Sequence, residues 1–197
     1  NSQKDLKKLE EEISSLRQDY KVNAKKLSNL RCEASIKLSK SINKEFPILK
    51  LDNSKFKVAI NLLDEDNWKP NGIDSVIFKI EMNKDTGFDL IAKIASGGEL
   101  SRIMLAIKVS LVSEKEKNNI KTLIFDEVDT GVGGAVADAI GKRLELLGQS
   151  NQVLAVTHHP QVAARSKNHF KVNKSNVNSF TSTSINNLNS KQRLEEI

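Results

Sequence analysis

A chain of 197 residues in which 38% are hydrophobic and 28% charged has the balance of a globular protein of one or two domains, with enough apolar side chains for a sizeable core. No run approaches the roughly 18 to 20 apolar residues of a membrane span, and residues 1–12 lack the apolar centre of a signal peptide, so a cytoplasmic protein with no membrane partner is expected. The net charge of +6 is compatible with a nucleic-acid partner, but the lysines are scattered and an ordinary solvated surface accounts for them equally well.

The first element is a helix with a heptad-like seam. Leu6, Leu9, Ile13, Leu16, Tyr20, Ala24 and Leu27 follow one another at spacings of three and four, and Ala34, Leu38 and Ile42 continue less strictly. Neither Pro nor Gly interrupts, and about 45 helical residues reach roughly 65 Å. So long and narrow a stripe predicts one arm of an antiparallel coiled coil over residues 1–46, the alternative being a long amphipathic helix packed on its own domain. Cys32, the single cysteine, has no partner for a disulfide or a zinc-type cluster and is expected to be a small buried hydrophobe.

Pro47 closes this region, and residues 47–197 form the second expected domain. Phe56 to Leu63 and Ser75 to Met82 look like strands joined by turns at Asp64–Asn67 and Pro70–Gly72. A helix from Gly97 to about Glu114, a strand at Thr122–Phe125, a helix from Gly134 to Leu147 and a strand at Val153–Val156 follow. Unbroken apolar strands between helices predict an α/β fold whose parallel sheet is buried on both faces. Beyond Pro160 come a short helix, a strand around His169–Val172, a Ser/Asn-rich turn, a strand near Phe180–Ile185 and a final helix. The chain opens without Met and ends in a helical pattern, and is expected to be a piece of a longer protein.

Three element ends carry chemistry. Ser96 and Glu99 have capping-box spacing, and Gly97 and Gly98 between them leave first-turn amides uncovered, which makes an anion site of a helix start that is otherwise ordinary. The strand at Thr122–Phe125 ends in Asp126 and Glu127. At the carboxyl edge of a parallel sheet, paired carboxylates need a cation to bind or a proton to transfer: in phosphate transfer Asp126 would hold Mg²⁺ and Glu127 would activate water, while an acidic cap before a loop is the plainer alternative. Asp129, Thr130 and Gly131 lie in the polar loop that follows, suited to a subunit interface. His158, at the end of the next strand, has the place to hydrogen-bond a γ-phosphate, although a lone histidine there is more often structural.

In this order the three ends resemble the signature, Walker B, D-loop and switch histidine of ABC-type ATPases. Glu99, where transporters usually have Gln, and Val128, where they usually have Pro, place the likeness in the chromosome-maintenance and repair branch. Within that branch Ala95–Ala106, Phe125–Val132, Val156–His158 and Pro160–Ala164 are similar to the RecN family of DNA-repair ATPases. The resemblance implies the C-terminal lobe of an ABC-type head, a parallel-sheet core with flanking helices preceded by a long coiled-coil helix.

It implies ATP and Mg²⁺ as cofactors, with Ser96, Gly97, Gly98 and Glu99 on the γ-phosphate held by an opposing protomer. Asp126 is then the Mg²⁺ residue, Glu127 the catalytic base and His158 the switch, while Asp129, Thr130 and Gly131 form the D-loop at the dimer interface. His159 stands where the family usually has an apolar residue. No G-x-x-x-x-G-K-[ST] occurs in the chain, so the phosphate-gripping Walker A loop is expected on an N-terminal half that is a partner of this one. The resemblance further implies a homodimer of heads closed on ATP, DNA as a partner in double-strand-break repair, and a nucleoid-associated location. A chromosome-organising or transporter ATPase and a non-catalytic coiled-coil interaction module are the rival readings.

Overall fold

In the computed structural model, which describes residues 2–94, 96–111, 121–177 and 180–197, the chain forms two compact units. Asn1–Asn43 with Ser54–Ile91 make the first, and Lys44–Asn53 with Ala92–Ile197 the second. No described helix is long and apolar enough to cross a membrane.

The uninterrupted helical pattern forms a single helix, α1 (Ser2–Glu45), which belongs to the first unit as far as Asn43. Its apolar seam divides at Tyr20. Above that residue the seam is open, with Leu6, Leu9, Ile13 and Leu16 each more than half exposed. From Tyr20 onward α1 lies on an antiparallel sheet of β1 (Lys55–Leu62), β2 (Asp74–Glu81) and β3 (Asp89–Leu90). The Tyr20 ring stacks at 5.4 Å on Trp68, and its hydroxyl donates to the Lys69 carbonyl at 2.7 Å. Ser28 donates to Asp74 at 2.7 Å and Arg31 pairs with the same carboxylate at 3.1 Å. Asn43 donates to the Phe56 carbonyl and accepts from its amide, which holds the start of β1 against the helix. Of the expected coiled-coil seam, Tyr20, Ala24, Leu38 and Ile42 thus find cover within the chain, while Leu27 and Ala34 stay exposed.

The strands begin one residue earlier than the pattern predicts, with Lys55 opposite Glu81 and Leu62 opposite Asp74. Phe56 is their buried anchor, in edge contact with Phe78 at 5.4 Å between ring centres. The turn between the strands is tucked so closely under α1 that a Cβ on Gly72 would meet Arg31 Nη1 at 2.9 Å, and its φ of +115° also requires glycine. Cys32, expected to be buried, is exposed. It falls off the apolar stripe on a helix that is covered along one side only.

In the second unit α2 (Gly97–Leu111), β4 (Thr122–Phe125), α3 (Gly134–Leu147) and β5 (Gln152–Ala155) alternate as the sequence predicts. The expected extension of α2 to Glu114 lies outside the described residues. Strands β4 and β5 pair in parallel, with Thr122 opposite Gln152 and Phe125 opposite Ala155. Ile103, Leu105 and Ala106 of α2 and Ile140 and Leu147 of α3 are fully buried, as is Leu49 in the turn that follows α1. A short helix, α4 (Pro160–Ala163), packs across Gly141, where a Cβ would lie 3.2 Å from the Gln161 carbonyl oxygen.

Burial of this sheet on both faces does not hold. Leu123, Phe125 and Val153 are turned inward, whereas Ile124 is 71% exposed and Leu154 48%. The helices of a two-stranded parallel ribbon cover one face, and no described element of the chain covers the other. Beyond α4, β6 (Phe170–Val177) and β7 (Phe180–Asn187) form an antiparallel hairpin longer than the apolar residues alone predict, and α5 (Ser190–Glu196) is closed by an Asn189–Gln192 capping box. The tip of the expected Ser/Asn-rich turn, residues 178–179, lies outside the described residues.

Candidate active site

All the chemistry-bearing residues belong to the second unit, and the parallel pairing of β4 and β5 sets where they meet. The ladder continues one step past β5, where the Val156 amide donates to the Phe125 carbonyl at 3.0 Å. Asp126 and Glu127 therefore leave β4 beside the place where Val156 and Thr157 leave β5. This is the carboxyl edge of the sheet, where α/β folds bind their ligands.

On one side stands the N-terminal turn of α2. Ser96 caps it: the Glu99 amide donates to the Ser96 hydroxyl at 3.4 Å, and the Leu100 amide to the Ser96 carbonyl at 3.0 Å. Glu99 lies in the first turn, where its charge suits the helix dipole. Two further contacts fasten this turn to the edge of the sheet. The Ser101 hydroxyl donates to the Asp126 carbonyl at 3.0 Å, and Arg102 Nη1 donates to the Thr130 carbonyl at 3.1 Å. Arg102 is almost fully buried, and that burial pushes its guanidinium below the ordinary value while nearby Glu99 works in the opposite direction. Gly98 packs against both partners of this bond, and a Cβ there would stand in ordinary contact, 3.5 Å, with Arg102 Nη1 and the Thr130 carbonyl oxygen.

Asp126 and Glu127 are both exposed, and among the described residues neither carboxylate has a hydrogen-bond partner. Glu127 has φ +54°, a left-handed conformation that costs a residue with a side chain of the order of 1 to 2 kcal/mol. The Thr130 amide closes the turn on the Glu127 carbonyl at 3.2 Å, and Gly131 at φ +71° reverses the chain into α3. Glu127 Oε2 lies 3.9 Å from the Cβ position of Gly97, so the carboxylate and the glycine turn adjoin within one chain.

Asp129, expected to face a second protomer, points inward. It is fully buried and accepts from the Thr157 hydroxyl, while Thr130 and Gly131 beside it are exposed. The Thr157 oxygen in turn accepts from the His159 amide at 3.0 Å. His158 is exposed and His159 partly covered, with the two rings 4.4 Å apart.

The structure therefore gathers Ser96 to Glu99, Asp126, Glu127 and the loop Asp129–Gly131 at one edge, with His158 on the neighbouring strand end. Three residues that hold this arrangement, Ser101, Arg102 and Thr157, lie inside the matched segments but receive no role from the sequence. Their only sequence signal is position, within the signature and immediately before the histidine.

No family model matches the chain. Among curated proteins it is 34% identical, over 98% of its length, to the DNA repair protein RecN of Halalkalibacterium halodurans, 37% over 96% to that of Rickettsia bellii, and 38% over 98% to that of Xylella fastidiosa strain 9a5c. It spans 34% of the length of each of these relatives. Among solved structures, it matches the Smc head domain with an extended coiled coil from Pyrococcus furiosus, bound there to the C-terminal domain of ScpA, with TM-score 0.59 and 16% identity over 96% of this chain and 44% of that one. The Smc head domain with a coiled coil and joint from Pyrococcus yayanosii gives TM-score 0.61 and 14% identity over 96% and 34%. These two likenesses show the fold, that of an SMC head.

Proposed function

We propose that this chain, a RecN-type sequence over nearly its whole length, is the hydrolytic and trans-acting part of an ATP-driven head in a DNA repair protein. The observation that carries this reading is the single sheet edge that presents a capped glycine turn, two unpartnered carboxylates and a histidine. Phosphoryl transfer to water asks for that set: amide donors for the phosphate, a metal-holding carboxylate and a base. Two exposed carboxylates without a partner among the described residues also argue against a purely structural coiled-coil module.

Asp126 suits Mg²⁺. Its carboxylate is free, and among the described residues no cluster of three His, Cys, Asp or Glu forms an all-protein metal cage, in keeping with an ion that takes one or two carboxylates and completes its shell with phosphate and water. When bound, Mg²⁺ neutralises charge on the phosphates. Glu127 orients the attacking water and takes its proton, and His158 hydrogen-bonds the γ-phosphate. The amides of Gly97 and Gly98 receive the γ-phosphate of an ATP held by the opposing head, with Thr130 and Gly131 at the junction.

The phosphate-gripping loop is assigned to the part of the protein outside this chain, which spans about a third of its relatives. A groove of about 340 Å³ lined by Leu100 and Met104 of α2 and Leu123 and Ile124 of β4 supports docking of that lobe. The open seam from Leu6 to Leu16 supports a partner helix, so that α1 acts as an arm that carries head movement to DNA in double-strand-break repair at the nucleoid.

Closure on ATP is the step to test. In light scattering the full-length protein is expected to gain mass with a non-hydrolysable ATP analogue and Mg²⁺ but not with ADP. Identical mass with both nucleotides contradicts the proposal.

A further inference from the structure

We propose that Thr157 is a positioning residue of this site, latching the loop that follows Glu127 to the turn that carries His158. The proposal rests on the ATPase reading above and adds to it the group that keeps the base and the histidine in register.

Asp129 is the starting point. A fully buried carboxylate with no cation beside it is costly, and among the described residues Asp129 makes no ion pair. One of its oxygens accepts from the Thr157 hydroxyl, and the other, Oδ1, has no partner among the described residues. Such a group is held in place by its surroundings: Val128 is fully buried before it and Val132 nearly so after it. The Thr157 hydroxyl donates its single proton to Asp129, and its oxygen accepts from the His159 amide at 3.0 Å. The hydroxyl therefore joins the loop after β4 to the turn after β5 through two bonds of fixed direction.

This latch acts on Glu127. A left-handed φ at a residue with a side chain persists only where both flanks are fixed. The upstream flank is fixed by the β4–β5 ladder and by Ser101 on the Asp126 carbonyl. The downstream flank is fixed by Asp129 on Thr157 and by Arg102 on the Thr130 carbonyl. Arg102 starts from α2, so the glycine turn, the loop and the histidine turn form one hydrogen-bonded series. Without the Thr157 hydroxyl the downstream flank loosens, Glu127 can relax from its strained conformation, and the base drifts from the water it orients. The phosphate-gripping loop assigned to the rest of the protein lies outside this series, so turnover falls far more than affinity.

Thr157→Val keeps the shape and removes the hydroxyl, while Thr157→Ser keeps the hydroxyl. In the full-length protein Thr157→Val is expected to lower kcat by about tenfold or more with KM for ATP nearly unchanged, and Thr157→Ser to restore most of the rate. Hydrogen exchange of residues 128–131 should rise in Thr157→Val and stay at the wild-type level in Thr157→Ser. A Thr157→Val protein with wild-type kcat, or with wild-type exchange in that loop, overturns the proposal. If the wild-type protein hydrolyses no ATP, the ATPase reading fails, and the exchange measurement still decides the latch. Should Thr157→Val not fold, Asp129→Leu, which removes the acceptor, carries the same comparison from the other end of the bond.

Discussion

Glu127→Gln is expected to lower ATP turnover in the full-length protein by about a hundredfold or more, the usual worth of a positioned general base, while ATP affinity stays within a small factor. The amide has the shape of the carboxylate and tolerates the same backbone, so the left-handed turn at φ +54° and the contact with Gly97 persist. What is lost is the group that receives the proton. Binding survives because it is assigned to the phosphate-gripping lobe and to the Mg²⁺ at Asp126. Phosphate release at saturating ATP reads the first effect and equilibrium titration the second. Turnover at the wild-type rate would remove Glu127 from the base role.

Ser96→Arg should be equally severe for a different reason. Ser96 caps α2 through the Glu99 amide, and losing a cap costs about 1 kcal/mol. The larger effect is a long cationic side chain in the turn assigned to the phosphate, which keeps that turn from receiving the γ-phosphate at its own site and lowers turnover there by about a hundredfold. The informative experiment mixes the two variants in equal amounts. In the proposed arrangement each site combines Glu127 of one head with Ser96 of the other. A mixed dimer therefore has one doubly altered site and one wholly native site. Random pairing of independently acting sites then restores about a quarter of the wild-type rate. Gly97 and Glu127 adjoin within one chain, which makes a site in cis the competing arrangement. That arrangement predicts no recovery on mixing.

Much of this was legible in the sequence because it depends on local pattern. The ends of β4 and α3 fall where apolar periodicity and glycine place them, and the parallel pairing of β4 with β5 follows from their unbroken apolar runs. Ser96, Asp126, Glu127 and His158 stand out because each marks the end of an element. What escaped reading depends on partners distant in sequence. The spacing of Leu6 to Leu27 encodes an apolar stripe but not what covers it, and only the fold shows Tyr20 on Trp68 while Leu6 to Leu16 stay open. Cys32 was misjudged because its type favours burial although its helical position does not. Asp129 looked like a surface loop residue, since nothing local reveals that Thr157 reaches it. The same holds for the open face of β4 and β5, because an apolar strand reads alike whether its second cover comes from its own chain or from another.

The central claim is that the chain holds the hydrolysing and trans-acting residues of an ATP site but not the loop that grips the phosphates. Calorimetric titration of this chain with Mg-ATP, set beside the same titration of the full-length protein, tests it most directly. No measurable binding by the chain and saturable binding by the full-length protein is the predicted result. Tight ATP binding by the chain on its own would contradict the division of the site.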